Sequence, residues 1–425
     1  MSLLLVHLSD IHIRSNLDPI LKKGEAIAKA LNERVAKAKL IVIVISGDIA
    51  YSGNRKEYQA AKSFLEGIRK YIKSEARCDV EFLICPGNHD CDFNTNNESR
   101  KNNIIGVQSG GSVDESVIKS CTRIQDEFFK FRDGLETWKS PSTDRLWRTA
   151  SAVVSGKTIL FDSLNVAWVS NLKEDKNLFF PVERYKHEVL TQTADIRFIA
   201  FHHPFNWFSN PTYRPFRKLL RRVGSVLISG HEHEGNVGQL EDTESGQSVY
   251  IEGRVLQESS GDLAGTGFFI LDVDLDAMTF THIGFDYAGD YYRPQANSRT
   301  WTMPESKSGR LAPSTEFRRL LDDAGAISHP ETASPISLQD IYVYPDLCKV
   351  HERAKAREFL DAKLLKDPKN TREGVVLQCD ERTGGTSLLY QLFLAYLDQG
   401  FAPILIRGSD IKRSNNGHID GLADC

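Results

Sequence analysis

Short runs rich in Val, Ile, Leu and Phe alternate with amphipathic stretches through roughly the first three hundred residues. The runs at 3–8, 40–45, 81–85, 197–201 and 225–228 are bounded by Gly, Pro, Asp or Asn, as buried strands are. Between the first two, Ile27, Leu31 and Val35 recur at helical spacing among Lys and Glu; between the second and third, Ala61, Leu65, Ile68 and Ile72 do the same. Strand–helix–strand–helix order predicts parallel β-α units and an α/β fold. Two further β-rich zones, 152–169 and 249–285, predict a second sheet packed on the first. The segment 93–139 interrupts this pattern as an insertion. Its first part, with Asn94, Asn96, Asn97, Gly106, Gly110 and Gly111, reads as loop; its second, with Ile124, Phe128, Phe131 and Leu135, reads as helix.

After residue 292 the composition shifts. Stretches with Pro, Ser and Gly around 303–309 and 328–335 bracket a short helical piece near 316–321, so 293–336 reads as a linker. A new unit is expected over 337–425, with a helix at 354–365 and strands at 375–378 and 402–406.

The 425 residues, 40% hydrophobic and 26% charged, have globular proportions and suffice for two or three domains. No run approaches the roughly eighteen apolar residues of a membrane helix. The apolar start meets His7 and Asp10 at once and lacks a basic leader, so no signal peptide and no membrane partner are expected. Seven scattered cysteines without a Cys-x-x-Cys pair argue against a disulfide framework and for reduced thiols in the cytoplasm. A formal net charge of −4 neither requires nor excludes a polyanionic partner; any nucleic-acid contact has to come from a local patch.

The chemistry stands at the strand ends. Asp10-Ile11-His12 follows the first run, Gly47-Asp48 the second and Gly87-Asn88-His89-Asp90 the third; His202-His203-Pro204 follows the fourth and Gly230-His231-Glu232-His233 the fifth. Loops beyond the carboxyl ends of strands share one edge of an α/β sheet, where ligands bind. Six of the twelve histidines fall in these blocks. Carboxylate, imidazole and one amide oxygen suit Mn, Fe or Zn better than Ca or Mg. A lone carboxylate such as Asp48 is of the kind that bridges two cations. Singly, Asp10 or Asp48 reads as a helix cap and 230–233 as a polar turn; together they point to a site. His7, His187, His282, His329, His351 and His418 belong to no block and read as ordinary core or surface residues.

This series of five blocks, in this order, resembles the calcineurin-like metallophosphoesterase superfamily over about residues 1–292. The resemblance implies a four-layer αββα sandwich around two divalent metal ions, with Mn favoured. One ion would be held by Asp10, His12, Asp48 and His233, the other by Asp48, Asn88, His202 and His231. His89 would protonate the leaving group, with Asp90 orienting it. His202 is the implied ligand as the first residue of His-x-Pro, which leaves His203 in the pocket wall.

Superfamily members cleave phosphomonoesters, cyclic nucleotides, dinucleoside polyphosphates and nucleic acids, so the core does not name a substrate. One local feature leans toward nucleic acid. Read as a helix, 215–223 puts Phe216, Leu219, Leu220 and Val223 on one face and Arg217, Lys218, Arg221 and Arg222 on the other. Such a stripe suits a phosphate backbone, or is simply a solvated outer face. Phe205, Trp207, Phe208 and Tyr213 lie beside it, as base-stacking groups or as a hydrophobic lid. The expectation is a phosphodiesterase acting on nucleic acid, with a small soluble phosphodiester, or a sensor without turnover, as alternatives.

The stretch 375–389 is similar to the nucleotide-binding loop of STAND- or NACHT-type ATPases, as a partial P-loop-like α/β unit. Cys379 stands where the first Gly is expected and Gly385 where the phosphate-gripping Lys belongs, so ATP hydrolysis is not expected. A hydrolase joined to such a module resembles bacterial defence proteins, in which the tail contacts a partner or regulator.

Overall fold

The computed structural model describes residues 2–31, 33–139, 144–173, 176–242, 246–304, 313, 315–328, 335–349, 358–372, 374–380, 382–399, 401 and 403–406. The chain divides into two compact units, Met1–Arg310 and Leu311–Cys425. Among the described residues no helix is long and apolar enough to cross a membrane.

The first unit contains β1 (Ser2–Leu8), β2 (Ala38–Ile45), β3 (Asp79–Ile84), β4 (Trp147–Val154), β5 (Lys157–Leu164), β6 (Ile196–Ala200) and β7 (Val226–Ser229). It continues with β8 (Asn236–Asp242), β9 (Gly246–Glu252), β10 (Gly267–Asp274), β11 (Thr279–Tyr287), β12 (Tyr292–Pro294) and β13 (Arg299–Thr302). Its helices are α1 (Gly24–Leu31), α2 (Glu33–Lys37), α3 (Arg55–Glu75), α4 (Glu98–Gln108), α5 (Glu115–Thr122), α6 (Asp126–Asp133), α7 (Val182–Thr191) and α8 (Asn210–Val223). One sheet has the order β12-β11-β10-β1-β2-β3, with β13 also on β11; the other has the order β4-β5-β6-β7-β9-β8. The β1-β2-β3 and β5-β6-β7-β9 pairings are parallel.

Alternation along each strand sorts side chains into separate cores. Leu3 and Leu5 of β1 join Val42, Phe161, Phe198 and Ile228 between the sheets. Leu4 and Val6 face the other way, with Ile27, Leu65 and Ile68 of the covering helices. On the second sheet, Ile199 and Leu227 pack outward against Phe216, Leu219 and Leu220 of α8. With both faces covered, the strands read as continuous apolar runs. Helix α3 starts at a capping box, in which the Asn54 side chain accepts from Glu57 N–H and the Glu57 side chain from Asn54 N–H.

Several sequence expectations need correction. The polar first part of the insertion contains α4, capped by the Asn97 side chain accepting from Arg100 N–H. Its buried face is only Arg100, Ile104 and Val107, too narrow to read against the surrounding Asn and Gly. The segment assigned to a linker from 293 contributes β13 to the first sheet; Trp301 is buried there, stacked with Phe280 at 6.5 Å between ring centroids. In the second unit, neither 375–378 nor 403–406 is a strand, and Val376 is 97% exposed. A buried strand needs a ladder partner. The described strands of that unit pair only with each other, Asp323–Ser328 with Pro335–Ser337 and Asp346–Lys349 with Glu358–Asp361. The helix expected at 354–365 falls partly outside the described residues; its remainder begins as the strand Glu358–Asp361 and ends in a short helical turn. The helices Thr315–Asp322 and Gly385–Asp398 are present, the second where the loop-to-helix reading placed its start.

Candidate metal centre

The loops after β1, β2, β3, β6 and β7 meet at one edge. Beyond the strand ends the first two loops stay paired: Asp10 N–H donates to Gly47 O at 3.2 Å, Ile11 and His12 N–H to Asp48 O at 2.8 and 3.0 Å. The third loop docks on the second, with His89 N–H donating to Asp48 Oδ1 at 2.8 Å. Two glycines make this approach possible. A Cβ at Gly87 would lie 2.1 Å from Asp48 Oδ1, and one at Gly47, where φ is +103°, 2.5 Å from His202 Nδ1.

The donor atoms fall into two groups that share Asp48. Asp48 Oδ2 lies 3.6 Å from His12 Nε2 and 3.2 Å from His202 Nε2. On one side His233 Nε2 is 3.3 Å from Asp10 Oδ1, and Asp10, His12 and His233 offer atoms all within 4.8 Å of one another. On the other, His202 Nε2 lies 3.1 Å from Asn88 Oδ1 and 3.2 Å from His231 Nδ1. Asp10, His12, Asp48 and His202 are almost fully buried.

The backbone carries the same signature. Asp10, His12, Asp48, His231 and His233 have φ between +49° and +77°, in the left-handed region. Each costs about 1–2 kcal/mol relative to an ordinary conformation. Such strain persists where the surrounding structure imposes it, commonly at functional sites.

The electrostatics suit a pair of cations. Asp10 Oδ1 is buried with the His233 ring 3.3 Å away and no hydrogen bond of good geometry among the described residues, and two imidazole nitrogens face each other at 3.2 Å beside two oxygens. Burial alone would lower the pKa of His12 and His202, but the Asp48 carboxylate overrides it and raises them to about 9 and about 10. Burial, with His203 and His202 close by, pushes His231 down to about 2. The rear nitrogens are tied to carbonyls: His12 Nδ1 to Gln257 O at 3.0 Å and His202 Nδ1 to Ser46 O at 2.8 Å. That leaves each Nε2 facing the cluster, the usual way a ligating imidazole is oriented.

The model of the calcineurin-like phosphoesterase family matches residues 3–235. That is more than half of the chain, and all five blocks lie within it. The chain belongs to this family. Vps29 structures are also similar. Vacuolar protein sorting 29 from Cryptosporidium parvum is 11% identical at a TM-score of 0.29, covering 71% of this chain and 98% of its own. A single mutant of Vps29 from Entamoeba histolytica is 10% identical at 0.28, with coverages of 70% and 99%. Vps29 from Chaetomium thermophilum is 12% identical at 0.26, with coverages of 74% and 98%. Similarities of that size bear on neither fold nor function. A comparison with curated proteins finds no match.

In this calcineurin-like phosphoesterase, all seven expected ligands, Asp10, His12, Asp48, Asn88, His202, His231 and His233, come together. His89 stands beside them, its ring 5.0 Å from His12. Its orienting partner is not Asp90: His89 Nδ1 donates to Tyr51 O at 2.7 Å, and the Tyr51 ring stacks on it at 5.2 Å. Asp90, fully buried, accepts instead from Ile49, Ala50 and Gly87 N–H at 3.3, 3.1 and 2.9 Å and from Tyr58 Oη at 2.9 Å. It fastens the second and third loops together. His203 packs against His202 and His231 at 4.8 and 4.4 Å, and is close enough to both to share a metal with them.

The basic stripe runs along helix α8. Helix α8 leaves the carboxyl edge of β6 and returns to the start of β7, where Ser225 N–H donates to Arg197 O. Its N-terminus therefore faces the edge that carries the ligand cluster, and Arg217, Lys218, Arg221 and Arg222 lie roughly 10–18 Å farther down its axis, at about 1.5 Å per residue. Arg217 packs on the Tyr213 ring at 4.7 Å. Of the four neighbouring aromatics, Phe205 and Phe208 are buried, and Trp207 stands edge-on to His231 at 4.2 Å, its Nε1 donating to Glu232 at 2.6 Å. Sequence reasoning missed Gln257. Buried, it accepts the His12 ring at its carbonyl, and its side chain bonds Ile20 N, Ile11 O and His12 O. No motif marks it, since its role comes from contacts 245 residues apart.

Proposed function

We propose that the chain is a dinuclear metal-dependent phosphodiesterase. The observation that carries this is the pair of donor groups sharing Asp48, each completed by residues from separate loops. Asp10, His12, Asp48 and His233 would hold one divalent ion, and Asp48, Asn88, His202 and His231 the other, with Mn favoured over Fe or Zn. Two such ions, when bound, bring the pKa of water toward neutrality and offset charge on a phosphoryl group. The protein's own residues supply the rest. His89, its Nδ1 anchored to Tyr51 O, presents Nε2 to hold a proton for the departing oxygen. Asp90 keeps that loop in register. The four-layer αββα reading of the first unit accords with its three separate cores.

A small soluble phosphodiester suits this site better than a nucleic-acid strand. The cations that suggested a backbone track lie down α8, whereas the rim beside His231 and His233 carries the carboxylates of Glu232 and Glu258. The aromatic rings of Tyr51 and Trp207 stand beside His89 and His231, in keeping with an aromatic substituent such as a nucleobase. The tail, with Gly385 in the lysine position, would act by contacting a partner and not by hydrolysing nucleotide.

Purified protein with Mn should hydrolyse bis-(p-nitrophenyl) phosphate, and Asp48→Ala or His89→Ala should reduce turnover by at least about a hundredfold. Comparing cyclic nucleotides with single-stranded DNA and RNA tests the substrate class. Full activity in Asp48→Ala contradicts the mechanism, and preferential cleavage of the polymers contradicts the small-substrate reading.

A further inference from the structure

Between the two sheets, beneath the ligand cluster, buried polar side chains form a connected row. His7 lies in β1, 2% exposed, three residues before Asp10. Its Nε2 is 2.8 Å from Ser46 Oγ, and Ser46 Oγ is 2.8 Å from Ser9 Oγ. Ser9 Oγ in turn donates to Asp10 Oδ2. Ser9, Asp10 and Ser46 are buried as well.

Counting protons fixes the direction of the row. An ionised carboxylate only accepts, so the single hydroxyl proton of Ser9 points to Asp10. The Ser46–Ser9 contact is then a hydrogen bond only if Ser46 donates. That uses the one proton of Ser46, so His7 must donate from Nε2. The opposite tautomer would place a proton on Nδ1, which makes no hydrogen bond among the described residues; a buried donor without an acceptor costs about 1–3 kcal/mol. Burial keeps the ring neutral, lowering its pKa to about 3. The surrounding backbone leaves the ring little room, since a Cβ at Gly253 would lie 2.9 Å from His7 Cε1.

Ser46 has a second contact. Its carbonyl accepts from His202 Nδ1 at 2.8 Å, while its hydroxyl leads to Asp10. Asp10 belongs to one donor group and His202 to the other, so one residue orients a ligand of each.

We propose that His7, Ser46 and Ser9 form a one-way hydrogen-bond relay that holds Asp10 Oδ2 as an acceptor, turns Asp10 Oδ1 toward the first metal position, and through the Ser46 carbonyl couples that position to the second. His7 is its anchoring end and a positioning residue. The inference rests on reading the cluster as a metal centre. Outer partners of this kind are typically worth about 10–100-fold in metal affinity.

The test uses the full chain and Mn alone. Calorimetric titration compares the parent with His7→Phe, Ser46→Ala and His7→Gln, the last placing an amide nitrogen where Nε2 stands. Nitrogen NMR of histidine-labelled parent identifies the His7 ring as the signal lost in His7→Phe. His7→Phe and Ser46→Ala should weaken Mn binding by about tenfold or more, His7→Gln should restore most of it, and the His7 ring should be neutral with its proton on Nε2. Unchanged affinities in both disruptive variants, or a proton on Nδ1, overturn the relay. If His7→Phe does not fold, Ser46→Ala supplies the affinity arm and His7→Gln the assignment. A parent that binds no Mn overturns the metal-centre reading itself, an outcome distinct from a parent that binds and variants that do not differ.

Discussion

At the level of single residues, the cluster is a set of acids and bases that have neutralised one another. His12 and His202 are raised to about 9 and about 10 because the neighbouring Asp48 carboxylate outweighs their burial. Both therefore carry a proton at pH 7 in the metal-free protein, and a cation needs their lone pairs. Metal binding must release protons, so affinity should rise with pH toward about 9–10 and fall as the solution is acidified. Titrating Mn at pH 7 in buffers of different ionisation enthalpy measures this: net proton release is expected, and none would contradict the protonated pairs. The ligands themselves were legible because each stands in a short block just past a strand. His7, Ser46 and Gln257 were not, because their roles depend on partners 39, 37 and 245 residues away and no local spacing encodes such contacts. Asp90 was legible as part of the site and misread in its role; its carboxylate points at backbone N–H groups and not at the adjacent imidazole.

At the level of elements, the parallel strands aim the ligand loops and the helices only cover the sheets. The place of α8 follows from this. Its apolar face was readable from spacing, and Phe216, Leu219, Leu220 and Val223 are buried as expected. Its direction along the sheet was not, because it depends on which strand ends lie together. Replacing Arg217, Lys218, Arg221 and Arg222 by Ala should leave the rate on bis-(p-nitrophenyl) phosphate within about twofold, as surface changes away from a site usually do; a large loss would return the stripe to the substrate path. The strands have a buried dependence of their own. Arg197 of β6 and Asp162 of β5 form an ion pair with both side chains fully buried. Arg197→Met should destabilise the first unit by about 3–5 kcal/mol, since it strands a buried carboxylate, read as a shift in the denaturant midpoint. A change under about 1 kcal/mol would mean that Asp162 finds other partners.

Across the molecule, sequence periodicity placed the five parallel strands that carry the ligand loops better than it placed anything after residue 292. Strands buried on both faces leave a strong apolar signal, whereas β13 owes its place to one Trp301 side chain against Phe280. In the second unit the small core of Ala362, Leu365, Leu388 and Leu392 does not reach the apolar run at 375–377, which is why that run looked like a strand and is not one. The central claim concerns only the first unit, where loops far apart in sequence set two donor groups around one carboxylate. A crystal of the full chain soaked in Mn, with anomalous scattering recorded at the Mn edge, tests it most directly. Two peaks are expected, one on each side of Asp48, against His12 and His233 on one side and Asn88 and His231 on the other. No peak there, or a single peak that avoids Asp48, would contradict the account.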